Sequence, residues 1–561
     1  FVAGGNIMHI LDSLRKKMIM IPFVHEVAGT IGCEYFNLSS KKKNLKQRAF
    51  SLVTAGPGIT NATTGVAGSN IESRELLIIG GQVKTSDLSK GLRQRGIQEV
   101  DGKSIMEPIT KLSIRLDQPV SEKSFKSMCR LSQQGRPGSV FIEIPLDIQA
   151  SNVSPKKYKS VPINMRQPNH KKRFNKEKQK IILKKINESE RPLILLGGGI
   201  ERNQFKNLDK ALERFHIPFQ TTWNGIDLVD SSSKLYFGRP NTWGQRYANL
   251  IIQQSDLIIS LGSRLGLQQT GFNWQEFGKN AFKVMVDIDE KELKKSHPKV
   301  NLQINDDASQ VLIKILNLKH NRQFKNWINY CNKIKAYFPL SEKINKTGSG
   351  YINPYDFSIA LSKRLQPNDI VIPCSSGGAN TTFQQSFLQK KGQIIMNTKG
   401  MASMGYGLSG AIGASLSMPK NRTVLIEGDG GFIQNMQELG TVAINKLNLK
   451  IFIFHDNGYA SIRMTQKNYF GGGYVGCDEE TGLGMPNWKY LAKTFGLNYL
   501  KLKSNNYQKE IEKVLKDAKS WLCIAPIDPE QSYFPKITSR VTSSGSMESN
   551  PLHNMTPELS L

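Results

Sequence analysis

Short runs of consecutive apolar residues, each closed by a glycine or polar turn, recur along the 561 residues of this chain. Val424-Leu425-Ile426 is one such run and reads as a buried strand. Gly428-Asp429-Gly430-Gly431 closes it, and glycines at a strand end let backbone approach a phosphate. Helix-period spacing follows, with Met436, Leu439, Val442 and Ala443 on one face. A second apolar strand over 449–454 ends in Asp456-Asn457-Gly458. A parallel βαβ unit brings both turns to one edge of the sheet, where ligands bind. Asp429 and Asp456, 27 positions apart, are thus predicted to converge on one ion. Two hard oxygen donors beside a glycine turn suit Mg²⁺ holding a diphosphate. The plainer alternative is a βαβ unit whose acidic turns are merely solvated.

The same alternation appears twice more. Residues 49–61 read as a strand, a Gly56-Pro57-Gly58 loop and the start of a helix. A strand over 76–79 and the turn Gly80-Gly81-Gln82-Val83 follow. Further on, strands are predicted over 192–196, before Gly197-Gly198-Gly199, and over 256–261 and 282–288. The chain therefore reads as α/β. Its predicted units are 1–150, a basic linker over 151–187, a central unit over 188–330, a third over 350–530, and a tail over 531–561. The tail is rich in Ser, Asn, Pro and Met, and reads equally as a lid or a loose end.

Composition narrows the class. The length fits three or four domains, and 39% hydrophobic residues can build large cores. No apolar run approaches the length of a membrane span. Six scattered cysteines without a CxxC pair point to reduced thiols and a cytoplasmic protein. The net charge of +30 raises nucleic acid as a partner. The lysines are dispersed, however, and their densest cluster, over 156–185, falls in the linker without a nucleic-acid motif. A solvated surface is the better reading.

The GDG turn, the intervening segment and the DNG turn together resemble the signature of thiamine-diphosphate enzymes. Val24-His25-Glu26-Val27-Ala28-Gly29, followed by the GPG loop, resembles the pyrimidine-binding domain of the acetolactate synthase and pyruvate oxidase group. The implied fold is three doubly wound parallel-sheet domains: pyrimidine, central and diphosphate. The resemblance makes Glu26 the carboxyl that bonds N1′ of the aminopyrimidine and shifts it to the tautomer that removes the C2 proton. It assigns Glu26 and Gln98 to catalysis. Metal ligands are implied at Asp429, Asp456 and the Gly458 carbonyl, and shifting the register by one makes Asn457 the side-chain ligand instead. Asn397 to Leu408 resembles the loop under the cofactor, with Met404 wedged between its rings and the Ala402 carbonyl accepting from the 4′-amino group. Pro57, Gly58, Gly378 and Gly428 to Gly431 complete the implied cofactor contacts. Ser375-Ser376-Gly377-Gly378-Ala379 matches the second diphosphate loop more loosely. Relatives carry a strand and helix before Gly4-Gly5, so about 20 residues are expected to be missing ahead of Phe1.

The implied activity is a thiamine-diphosphate- and Mg²⁺-dependent carboligase. A 2-oxo acid such as pyruvate is decarboxylated and joined to a carbonyl acceptor, with acetolactate, and hence branched-chain amino-acid synthesis, as the default. A simple decarboxylase or lyase, or transfer to a keto-sugar in surface-polysaccharide synthesis, is the alternative. A homodimer or tetramer is implied, with Glu26 of one subunit facing Met404 of the other. Three positions depart from the acetolactate synthase pattern: Ile97, Thr465 and Gln268 stand where Phe, Trp and Arg are usual. Two aromatic walls and a carboxylate partner are thereby lost, and the acceptor is expected to be larger or uncharged. On FAD the residues pull both ways. Gly197-Gly198-Gly199 could open a dinucleotide site, whereas the central-domain changes remove basic residues that flavin-binding members use.

Overall fold

The computed structural model describes residues 1–152, 173–374, 377–541 and 543–559. Most of the expected linker, and Ser375 and Ser376, lie outside the described residues. Three parallel sheets form in chain order. The first holds β1 (Ser51–Val53), β2 (Leu76–Gln82), β3 (Leu112–Arg115) and β4 (Ser139–Pro145), in the order β1-β2-β4-β3. The second holds β5 (Pro192–Leu196), β6 (Phe219–Thr221), β7 (Leu257–Leu261), β8 (Phe282–Asp287) and β9 (Leu302–Asn305), in the order β6-β5-β7-β8-β9. The third holds β10 (Ile370–Cys374), β11 (Ile394–Ile395), β12 (Thr423–Gly428), β13 (Leu449–His455), β14 (Asn498–Lys501) and β15 (Trp521–Pro526), in the order β11-β10-β12-β13-β15-β14. Near-continuous burial along β5, β7, β10 and β12 is what sheets covered on both faces require. Among the described residues, no helix is long and apolar enough to cross a membrane, and all six cysteines are free.

The third sheet reverses direction between β10 and β12, because the chain leaves β10 for β11 on one side and returns as β12 on the other. Cys374 pairs with Glu427, Glu427 with Ile453, and Gly428 with Phe454. The loops after β10, β12 and β13 therefore leave one edge at one level, where ligands sit in open α/β sheets.

Two helices fasten the first sheet to the third. They are α1 (Glu26–Lys42) and α3 (Tyr406–Ser417); α2 (Pro57–Ile71) lies between them in sequence. A Cβ on Gly413 would overlap the Gly32 carbonyl oxygen, so the two backbones touch. A Cβ on Gly410 would meet the Tyr35 ring at 2.7 Å. Beside this contact, Arg74 Nη1 lies 2.6 Å from Glu34 Oε1, and the Tyr406 hydroxyl donates to Glu34 Oε2 at 2.7 Å. Arg74 also donates to the Asn397 carbonyl, at the start of the Met404 loop. Burial pushes the Glu34 pKa up, and Arg74 opposes that shift.

Three expectations change. The linker does not extend to 187: the helix Lys176–Glu188 buries Ile182 and Ile186 in the core of the second sheet. Its lysine-rich outer face conceals that i, i+4 pair in the sequence. The single helix expected after the GDG turn is a short helix Asp429–Phe432, a 3-10 stretch Ile433–Glu438 and a helix Leu439–Ile444. Asn435 breaks it with φ −134°, because its side-chain amide donates to the Gly405 carbonyl at 2.8 Å. The tail is neither loose nor separate. It forms a hairpin of β16 (Ser539–Val541) and β17 (Met547–Ser549), and buries Leu552 against the second sheet.

Helix propensity alone favours Gly413→Ala by about 1 kcal/mol. Backbone overlap dominates here, and the variant is expected to lose about 1–3 kcal/mol. A denaturant midpoint that holds or rises would show that the helices are not in backbone contact.

Candidate functional site

The edge of the third sheet gathers buried polar groups. Asp429 is fully buried. Its Oδ1 accepts the Gly430 N–H at 2.7 Å, and its Oδ2 accepts the Gly458 N–H at 3.2 Å and lies 2.7 Å from His455 Nδ1. Asp456 is 6% exposed, and its Oδ1 lies 3.2 Å from Arg463 Nη2. Arg463, in α4 (Ala460–Phe470), also donates to the Asp456 carbonyl at 2.6 Å and the Asn457 carbonyl at 3.2 Å. Asn457 is exposed, with a left-handed φ of 63°. Burial, and then the Asp429 charge, push the Asp456 pKa well above its ordinary value, although Arg463 opposes them. A Cβ on Gly430 would enter the Tyr459 ring, so the GDG turn packs against the DNG turn with no side chain between.

The Met404 loop is pinned to that turn. Gly405 N–H donates to the Gly431 carbonyl at 2.9 Å. Ala402 takes a left-handed φ of 50°, and Met404 is 37% exposed, with Gln434 Nε2 3.6 Å from its sulfur. On the far side stands Tyr533, from the tail. It is buried, its hydroxyl has no hydrogen-bond partner among the described residues, and that hydroxyl lies 2.7 Å from where a Cβ on Gly378 would sit.

The edge of the first sheet gathers the other residues. Glu26 opens α1, is 8% exposed, and accepts from Asn61 Nδ2 at 3.0 Å. Its Oε1 lies 3.5 Å from a Cβ placed on Gly58. Gly56 has φ 64°, and a Cβ there would stand 2.5 Å from the Gln98 carbonyl. Pro57, Gly58, Gln98 and Glu26 are therefore neighbours. Gln98 itself has φ 64° in an exposed turn. Glu99 anchors that turn: burial opposes its ionisation, but N–H groups of Ser89, Arg95 and Gly96 hold its pKa down to about 2. The two edges are linked through Glu438, whose carboxylate accepts from Val24 N at 3.1 Å and His25 N at 3.0 Å.

The three-part pattern has counterparts. Residues 1–105 match the thiamine pyrophosphate enzyme N-terminal TPP binding domain, 180–315 the central domain, and 376–524 the C-terminal TPP binding domain. The chain belongs to the thiamine-diphosphate enzymes. Within them it falls in the acetolactate synthase group. It is 30% identical to the acetolactate synthase large subunit of Pyropia yezoensis over 516 residues, which cover 88% of this chain and 83% of that protein. It is 29% identical to the Porphyra purpurea protein of the same name, over 92% of this chain and 86% of that one. The Lactococcus lactis protein of that name is 27% identical over 96% and 91%.

Sequence reasoning missed Asn61, Glu438, His455, Arg463 and Tyr533. Asn61 and Arg463 carry a signal in retrospect, since each lies one helical turn inside a helix that opens at a site loop. Tyr533 and Glu438 reach the site through tertiary packing alone. Beside the Gly197-Gly198-Gly199 turn a cavity of about 830 Å³ opens between the central unit and the other two, and the central unit lines it with Arg202 and Arg264 among others. Basic residues are thus present in the region where their loss was expected. The glycines themselves are explained by packing, because a Cβ on Gly197 would strike the Gly262 carbonyl.

A raised acid pKa stabilises the fold only at low pH. The unfolded Asp456 ionises near 3.8, the folded one later, so metal-free protein loses stability as pH rises above 3.8 toward the folded value. This one proton contributes a slope of at most about 1.4 kcal/mol per pH unit. Asp456→Asn is expected to flatten that slope in chelator-treated protein. Identical denaturation profiles for both proteins from about pH 4 to 8 would contradict the assignment.

Proposed function

We propose that this chain is a carboligase that decarboxylates pyruvate or a close 2-oxo acid and joins the two-carbon unit to a carbonyl acceptor. With pyruvate in both roles, two pyruvates and one proton give acetolactate and CO₂. The observation that carries this reading is a buried pair of carboxylates at a topological switch point, in a chain that also keeps a buried glutamate at its other sheet edge. A silent cofactor-binding subunit has no need of Glu26.

The residues fit thiamine diphosphate with a divalent metal. Asp456 is buried beside Asp429, and among the described residues Arg463 is the one permanent cation within 4.0 Å of the pair, which is the electrostatic setting a metal ion relieves. Among the described residues no cluster of three His, Cys, Asp or Glu exists to hold an ion. The remaining ligands would be the Gly458 carbonyl and diphosphate oxygens, a hard-oxygen set suited to Mg²⁺. Burial of Asp456 and exposure of Asn457 favour Asp456 as the side-chain ligand. Gly428, Gly430, Gly431 and Gly378 supply close backbone, and Met404 and Ala402 the platform for the rings. When bound, the cofactor supplies the electron sink for decarboxylation. Glu26 would exchange a proton with the aminopyrimidine at its carboxyl, Asn61 orients that carboxyl, and Gly58 lets the loop come close to it.

We place the working site between two copies. Val24, Ile97, Met404, Phe470 and Val475 are exposed apolar residues on or near the site segments, at 57%, 88%, 37%, 71% and 74%. A second subunit would cover them. Flavin has no assigned step, since nothing in this sequence of events needs an electron acceptor.

Glu26→Gln is expected to bind cofactor normally and to slow C2 proton exchange by at least about a hundredfold, the ordinary range of general acid–base catalysis. Wild-type exchange by NMR would remove Glu26 from the mechanism. Asp429→Ala is expected to lose most thiamine-diphosphate affinity by calorimetry. Mixing these two variants should recover activity if subunits share a site. A fully active monomer by light scattering would refute the shared site.

A further inference from the structure

Tyr533 lies in the tail, past residue 524, where the match to the C-terminal TPP binding domain ends. The chain nevertheless builds it into the edge of the third sheet. Its neighbour Phe534 exchanges two hydrogen bonds with Asn345. Phe534 N–H donates to Asn345 Oδ1 at 2.9 Å, and Asn345 Nδ2 donates to the Phe534 carbonyl at 2.7 Å. The Tyr355 hydroxyl donates to the same carbonyl at 2.8 Å, and Gln385 Nε2 to the Pro535 carbonyl at 2.7 Å. Held in this way, the Tyr533 ring packs with Tyr355 and Ala460. Ala460 opens α4, two residues after the DNG turn. The hydroxyl reaches the start of the helix Gly377–Ser386 that follows β10, 2.7 Å from the Cβ position of Gly378. Tyr533 thus bridges the segments that follow β10 and β13, and both carry implied cofactor contacts.

The hydroxyl is not explained by packing. Tyr355 beside it is also buried, but the Tyr355 hydroxyl has a partner. The Tyr533 hydroxyl is buried from water and has none among the described residues. A buried donor in that state is costly, and a phenylalanine would fill the same space without the cost. Burial, and then the charge of Asp456, push the Tyr533 pKa well above the ordinary tyrosine value, although Arg463 opposes them. The hydroxyl therefore stays a neutral donor in need of an acceptor. Gly378 has no side chain to keep an anion away from it. Such an orphan at a site edge is what a missing ligand atom leaves behind.

We propose that Tyr533 is a cofactor-binding residue, whose hydroxyl donates to a diphosphate oxygen of thiamine diphosphate beside Gly378. This rests on the thiamine-diphosphate site described above, and adds to it a contact from the tail.

Tyr533→Phe keeps the ring and removes the donor. Calorimetry with thiamine diphosphate and Mg²⁺ is expected to give an affinity roughly ten- to a hundredfold below wild type, the range for one hydrogen bond to a charged acceptor. Phosphorus NMR of the bound cofactor is expected to show a shifted diphosphate resonance in the variant. Cofactor-free Tyr533→Phe is expected to melt at the wild-type temperature or above it, because an unpaired buried hydroxyl is gone. Equal or tighter affinity overturns the assignment, and so do unchanged phosphorus resonances. A lower melting temperature for the cofactor-free variant also overturns it, since the hydroxyl would then have a partner within the chain. Wild-type protein that binds no thiamine diphosphate overturns the cofactor site as well.

Discussion

The backbone contact between α1 and α3 is the constraint that fixes the two half-sites of one chain relative to each other. Each helix begins at a half-site: α1 at Glu26, and α3 directly after Met404 and Gly405. Where Gly413 meets the Gly32 carbonyl there is no side chain to yield, so the two helices have one distance of approach. Burying polar groups beside such a contact is costly unless they are paired. Glu34, Arg74 and Tyr406 meet that condition for one another, and Arg74 extends the network to the loop that carries Met404. Breaking one member leaves the others buried and unpaired, so the network specifies the docking geometry more than it adds stability.

The second constraint is register. Three loops of the third sheet reach the same level because Cys374, Glu427 and Ile453 are paired across adjacent strands. A slip of one residue would shift the turn that follows β12 and take Asp429 out of level with Gly458. Continuous burial of β12 on both faces does not by itself forbid that slip. Gly430 against Tyr459 adds to the specification, since a slip that brought Asp429 there would drive a side chain into the ring.

Much of this was legible in the chain. Unbroken apolar strands such as 192–196 are strong signals because length, composition and turn residues agree. Asp429 and Asp456 were legible because parallel topology alone brings successive strand ends together. What escaped was of two kinds. Ile182 and Ile186 were hidden under lysines, whose stems cover apolar surface while their charges dominate a composition count. Tyr533 and Glu438 reach the site from positions that no local pattern marks, because their neighbours are distant in sequence. The kink at Asn435 belongs with these, since its cause is a hydrogen bond to Gly405 30 residues away.

Lys536 shows how the two kinds of reading differ. Along the chain it is one lysine among many. In three dimensions its ammonium lies between the Trp243 and Phe534 rings and beside Met464 Sδ, so it stays less hydrated than a lysine at the surface. The tail that carries it threads between Thr242 and α4, and the burial of Leu552 and Met555 holds the tail in that position.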